Sequence, residues 1–327
     1  MDGTRICIVG AGAIGGVLGT RLAASGTPTT ALARGHTLAA LRADGWRLRH
    51  PEGTIQAPVF ASDDPAELGE QDVVILTVKA PSLPDLAPTL APLFGSDTLV
   101  VPAVNGVPWW FFDGIGGEYD GLRLRAVDPA GTIAASIPTE RVIGCVAYLS
   151  ANVLEPGYAN HSAGSRLILG EPGGGAERVA RVAAPLRLAG FDITESMRVQ
   201  DDIWYKLWGN LTMNPISVLT GSTADRILDD ELVAGFAYAV MREAAAIGDR
   251  IGCPIAQTPE DRGAVTRKLG AFKTSMLQDA EAGRPVELDA IVAVVHVIGL
   301  AVGIPTPYLD ALLGLTRLAA RERGLYA

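Results

Sequence analysis

The stretch Gly10-Ala11-Gly12-Ala13-Ile14-Gly15 constrains this chain more than any other segment. It fits the pattern GxGxxG, and it stands between a short apolar run, Arg5–Val9, and a helical run, Ile14–Ser25. Alone the pattern is weak; ending a strand and opening a helix, it is the fingerprint of a turn that holds a dinucleotide. Each glycine has its own task. Gly10 permits the tight turn, Gly12 lets the backbone approach a pyrophosphate, and Gly15 lets helix and strand pack closely. Ala11, Ala13 and Ile14 complete a loop whose N–H groups and helix dipole face the phosphates.

The rest of the first half repeats the alternation of strand and helix. Thr29–Ala33 reads as a second strand. Asp72–Val78 and Thr98–Val104 are unbroken apolar runs, as strands covered on both faces are, and further strand-like runs lie at Arg141–Ser150 and Arg166–Gly170. The class expected is α/β, a Rossmann-like, doubly wound parallel sheet. Near Glu195–Val199 the pattern changes. Helical periods take over at Gln200–Leu219, Asp230–Ile251, Pro259–Ala282 and Leu288–Val302. The expected division is a nucleotide-binding domain over residues 1–196 and an all-helical domain over residues 197–327. A chain of 327 residues is long enough for two such cores.

Composition narrows the partners. A formal charge of −9 argues against nucleic acid, whose phosphates would be repelled. Cys7, Cys145 and Cys253 are far apart and form no CxxC pair, which speaks against zinc and disulfides and suits a reducing cytoplasm. No run of 18 apolar residues is present and no signal peptide is read, so a membrane span is not expected. The oligomeric state is left open, a homodimer included.

The second strand bears on which dinucleotide is held. An NAD site usually ends that strand with Asp or Glu for the ribose hydroxyls. Here no acidic residue occurs between Asp2 and Asp44, and the strand ends Ala33-Arg34-Gly35-His36. Arg34 is either a partner for a 2′-phosphate, which selects NADPH, or a solvated surface charge.

Two other strands end in polar groups at the edge where α/β sheets bind ligands: Lys79 after Asp72–Val78, and Asn105 after Thr98–Val104. Asn105-Gly106 also suits a tight turn. In the helical half, Lys206, Asn210 and Asn214 follow one another at four-residue spacing and share a face of an otherwise apolar helix. That face points to a partner or a cleft, or is simply solvated. Pro215 should disturb the helix where it stands. Ser275 and Asp279 form a similar pair. Glu287 opens the next helix, where an acid also suits the dipole.

Taken together, these pieces resemble the ketopantoate reductase (2-dehydropantoate 2-reductase) family: GAGAIGG, ALARG, TVKA with Lys79, VNG with Asn105, YKLWGNLTMNP with Lys206, Asn210 and Asn214, TSMLQD with Ser275, and VELDAI with Glu287. They occur in family order along nearly the whole chain. The resemblance implies NADPH as reductant and a small oxo acid as substrate, 2-dehydropantoate reduced to pantoate in pantothenate biosynthesis. It implies Lys206 as general acid and Glu287 as its acidic partner and a cofactor contact. Asn210, Asn214 and Ser275 become donors to the substrate. Asn105 is implied to touch both substrate and nicotinamide ribose, and Lys79 lies near the cofactor. A bulkier oxo acid, or a regulator that binds NADP(H) without turnover, are the competing readings. This sequence departs from the family at Val104, and at Pro108-Trp109-Trp110-Phe111-Phe112, which either packs under a loop or at a subunit contact, or shapes the substrate pocket.

Overall fold

The computed structural model describes residues 3–327. The chain forms two compact units. The first holds the residues up to Val104, Trp110–Gly116 and Ala130–Asp202; the second holds Asn105–Trp109, Gly117–Pro129 and Ile203–Ala327.

In the first unit, β1 (Ile6–Val9), β2 (Thr29–Leu32), β5 (Phe60–Ser62), β6 (Gln71–Leu76) and β7 (Phe94–Pro102) make a parallel sheet in the order β5-β2-β1-β6-β7. The interior strands β1 and β6 are buried almost throughout, which is why they read as unbroken apolar runs. A second sheet, of which the sequence showed only the runs that fall in β8 and β9, contains β3 (Trp46–His50), β4 (Gly53–Ala57), β8 (Gly144–Glu155), β9 (Tyr158–Gly170) and β10 (Asp192–Ser196). Its order is β10-β9-β3-β4, with β8 antiparallel to β9. The helix α1 (Ala13–Ala24) lies between the sheets. Its glycines allow that fit: a Cβ on Gly19 would come within 2.4 Å of the Trp46 ring, and one on Gly16 within 2.7 Å of Ala159 Cβ. Side chains of both sheets join in one core around α1.

The second unit is helical. The helix Val199–Thr220 begins at the end of the first unit and runs on through Pro215. The expected disturbance does not end it. Proline withdraws one N–H from the ladder, but Leu211, Ile216 and Val218 around it are buried, and their packing outweighs the loss. The run Pro259–Ala282, expected as one helix, is two: Pro259–Arg267 and Ser275–Glu281. Gly270 takes φ +71° between them, and Thr274 caps the second by accepting from the Leu277 N–H at 3.1 Å. Glu231–Ile251 starts at the Asp230 cap, and Pro307–Glu322 is a further helix. Between Glu287 and the helix Val294–Val302 the chain makes a π-helical turn, Asp289–Ala293.

Candidate active site

Three elements of the first unit place the groups singled out from the sequence along one edge of the parallel sheet. The strands β2, β1 and β6 are adjacent, with Leu32 and Leu76 both level with Val9. Beyond their carboxyl ends stand Arg34, the glycine turn and Lys79. Arg34 is exposed and extended, the residue before the helix Gly35–Asp44. Lys79 is exposed and leads into the turn Ala80–Ser82.

The glycine turn is built for close approach. Gly10 has φ +95°, and its N–H donates to Leu32 O at 3.0 Å. Its carbonyl accepts from the Thr77 hydroxyl at 2.6 Å and from the Gly12 N–H at 2.9 Å. A Cβ on Gly15 would lie 2.1 Å from that carbonyl, so packing alone demands glycine there. Gly12 differs. A Cβ on it would meet nothing within 4 Å, so the surrounding protein does not require glycine at this position. The bare backbone of Gly12 instead leaves room at the start of α1, where no side chain caps the helix. Uncapped N–H groups beside open space fit a dinucleotide pyrophosphate. Thr77, which fixes the turn, was missed in the sequence; its signal was a lone polar residue near the end of an apolar strand run.

In the second unit the polar stripe of Val199–Thr220 meets the Asn-Gly turn. The Lys206 ammonium donates to Asn105 Oδ1 at 3.0 Å. That turn is locked onto the π-helical segment: the Val107 N–H donates to Ala290 O at 2.9 Å, and Gly106 has φ +86°. A Cβ on Gly106 would lie 2.1 Å from the same carbonyl. Glu287, fully buried, stands just before this segment. Asn210 is half-buried one turn beyond Lys206. Asn214 is 3% exposed, and its buried Nδ2 finds no hydrogen-bond partner among the described residues. A buried amide without an acceptor is costly, and a bound acceptor group would relieve it. Ser275 is exposed at the start of its helix. The neighbouring Thr274 shares a 2.6 Å hydrogen bond with Ser217, three residues after Asn214. Thr274 and Ser217 were not singled out from the sequence.

The aromatic run is buried throughout: Trp109, Trp110, Phe111 and Phe112 are each at most 3% exposed. Trp110 lies against Gly144 of β8, where a Cβ would come 2.6 Å from its ring, and the two phenylalanines meet edge to face. Among the described residues no cluster could hold a metal ion, and no helix is long and apolar enough to cross a membrane.

Comparison with known proteins is decisive on kinship. The family model described as ketopantoate reductase PanE/ApbA matches residues 6–174, and its C-terminal companion matches residues 198–320. The chain belongs to the ketopantoate reductase family. It is accordingly an oxidoreductase of the NADP-dependent kind. A 2-dehydropantoate 2-reductase from Mesorhizobium japonicum is 46% identical across 99% of this chain and 100% of its own length. Among solved structures, one from Ralstonia solanacearum MolK2, provisionally named a ketopantoate reductase, is 59% identical and superposes with a TM-score of 0.96, covering 99% of each chain. The 2-dehydropantoate 2-reductase from Methylococcus capsulatus is 29% identical with a TM-score of 0.83, over 98% of this chain and 97% of that one.

Proposed function

We propose that this family member reduces a 2-oxo acid, 2-dehydropantoate in the first instance, with NADPH as reductant and Lys206 as proton donor. NADPH, when bound, supplies the hydride for the carbonyl carbon. The protein's part is to bind, orient and protonate. The Gly10–Gly15 turn and the start of α1 hold the pyrophosphate, Arg34 takes the 2′-phosphate, and Lys79 adds positive charge at the same sheet edge. In this reading residues 1–196 serve the cofactor and residues 197–327 serve the substrate, with Asn105 contributing to both.

The single observation that carries the reading is the bond from Lys206 to Asn105. It aims an ammonium donor using a neutral acceptor, so the lysine keeps its proton available for the oxygen of the substrate carbonyl. Glu287 supplies a buried negative charge that favours the protonated lysine and contacts the cofactor. Asn210, Asn214 and Ser275 offer donors to the substrate's carboxylate and hydroxyl groups. The cytoplasm suits three buried cysteines that are in no disulfide.

The test is loss of NADPH absorbance with a panel of 2-oxo acids. Turnover fastest with 2-dehydropantoate supports the full reading. Turnover fastest with a bulkier acid keeps the chemistry and changes the substrate. Tight NADPH binding with no turnover on any acid makes the protein a non-catalytic nucleotide binder.

A further inference from the structure

The segment Arg323–Tyr326 follows the helix Pro307–Glu322 and touches two places that matter for the site. Its first contact is with the helix that carries Lys206 and Asn214. Arg323 Nη1 donates to Val218 O at 3.2 Å, in the last turn of Val199–Thr220. Carbonyls in a last turn lack intrahelical donors, so the guanidinium satisfies a group that would otherwise need water. Its second contact is with both sides of Glu287. The Val286 N–H donates to Leu325 O at 3.0 Å, and the Tyr326 hydroxyl donates to Asp289 Oδ1 at 2.6 Å. Leu325 is buried, and the Arg321 guanidinium lies over the Tyr326 ring, 5.5 Å from its centroid. Burial first, and then the bond to Asp289, push the Tyr326 phenol up to about 12, so it remains a donor throughout the neutral range.

Glu287 has no regular structure on its amino-terminal side and a π-helical turn on its carboxyl side. Neither fixes a buried carboxylate as an α-helical ladder would. The bonds at residues 286 and 289 supply what the local backbone does not. We propose that Arg323 and Tyr326 are positioning residues, and that Arg323–Tyr326 is a clasp holding Glu287 in register with the helix that bears Lys206. The inference rests on the reading of Lys206 and Glu287 given above, and it adds residues whose sequence carried no signal. Neither Arg323 nor Tyr326 enters the chemistry.

The experiment compares the unmutated protein with Tyr326→Phe, Arg323→Ala and Arg323→Lys. Three quantities are read: kinetics on the best 2-oxo acid across pH, NADPH affinity by fluorescence titration, and amide hydrogen exchange at Val286–Asp289. Tyr326→Phe and Arg323→Ala are expected to lower kcat by roughly 10- to 100-fold, the scale of small misplacements in a site. The pH profile should shift, NADPH affinity should stay within about twofold, and Arg323→Lys should recover most of the rate. Amide exchange at Val286 should speed up roughly tenfold in Tyr326→Phe, as loss of one hydrogen bond's stabilisation implies. Unchanged exchange at residues 286–289 in Tyr326→Phe overturns the clasp. So does a parallel fall in kcat, NADPH affinity and melting temperature, which would mark a merely structural segment. If the unmutated protein reduces no 2-oxo acid, the functional reading fails by itself and the exchange data still decide the clasp.

Discussion

Lys206 and Asn105 stand 101 residues apart in sequence, yet the lysine ammonium donates to the asparagine carbonyl oxygen at 3.0 Å. In the mechanism proposed above, the bond orients the proton donor without neutralising it. Lys206→Ala is expected to lower kcat by about 10²- to 10⁴-fold, the range of general acid–base catalysis, with NADPH binding retained. Asn105→Ala should cost less in kcat and more in KM, because the donor survives but loses its aim. Steady-state kinetics beside NADPH titration measure both; near-normal turnover in Lys206→Ala would reject the mechanism.

Gly106 holds the other end of that bond. Its φ of +86° is costly for any other residue, and a Cβ would lie 2.1 Å from the Ala290 carbonyl. Gly106→Ala should therefore force the turn off the π-helical segment, destabilising the fold by about 1–3 kcal/mol and lowering kcat as well. Chemical denaturation and kinetics on the same variant check this. A stable variant with full activity would show that the docking of the turn is dispensable.

Arg34 is exposed at the end of β2, with no acidic residue between Asp2 and Asp44 to bind a ribose hydroxyl. Arg34→Gln is expected to weaken NADPH binding while leaving NADH nearly unchanged, removing most of the preference between them. Paired titrations measure it. Equal affinities in the unmutated protein would remove Arg34 from the cofactor site.

Trp110 is 1% exposed and lies against Gly144. Trp110→Ala should cost about 3–5 kcal/mol by opening a cavity. The ranking of oxo acids should not change in the fraction that folds. A changed ranking with full stability would instead assign the ring to substrate choice.

His161 is buried, its Nδ1 finds no partner, and its Nε2 meets the Gly164 carbonyl. Burial holds its pKa below the ordinary 6.5, Arg21 and His50 add to that, and the Gly164 bond opposes it. The unfolded chain thus binds a proton that the folded chain resists. The stability this neutral ring preserves is fully present above pH 6.5 and declines as pH falls from there towards the depressed folded value. Denaturation curves between neutral and mildly acid pH should show the decline, and His161→Asn should flatten it.

Much of this was legible in the sequence because periodicity and local spacing report directly on burial. The parallel strands stood out because both their faces are covered, and the glycine turn stood out because three glycines recur within six residues between a strand and a helix. Of the second sheet only the runs in β8 and β9 were read; β3 was missed, although Trp46-Arg47-Leu48-Arg49-His50 alternates as a half-buried strand does. The run was short and lay beside turn residues, and its partner β9 is more than a hundred positions away. The unbroken passage of the long helix through Pro215 was out of reach for a similar reason. Local propensity opposes it, and only tertiary packing overrides that propensity. The Arg323–Tyr326 segment carries no motif at all. What it does follows from contacts with residues 37 positions distant or more, which no window of sequence contains.

The helix α1 has one further consequence, for how this enzyme can change. Gly15 abuts the Gly10 carbonyl, Gly16 abuts Ala159, and Gly19 abuts the Trp46 ring, so three of its glycines are enclosed by backbone or core. Gly12 alone faces open space. Mutational drift at these three positions is therefore nearly closed, because a methyl group at any of them displaces backbone or core. The freedom to acquire a different nucleotide preference is left to the exposed stretch Arg34–His36, where side chains can be exchanged without moving the core. A library aimed at altered cofactor use should recover its survivors there and almost none from α1.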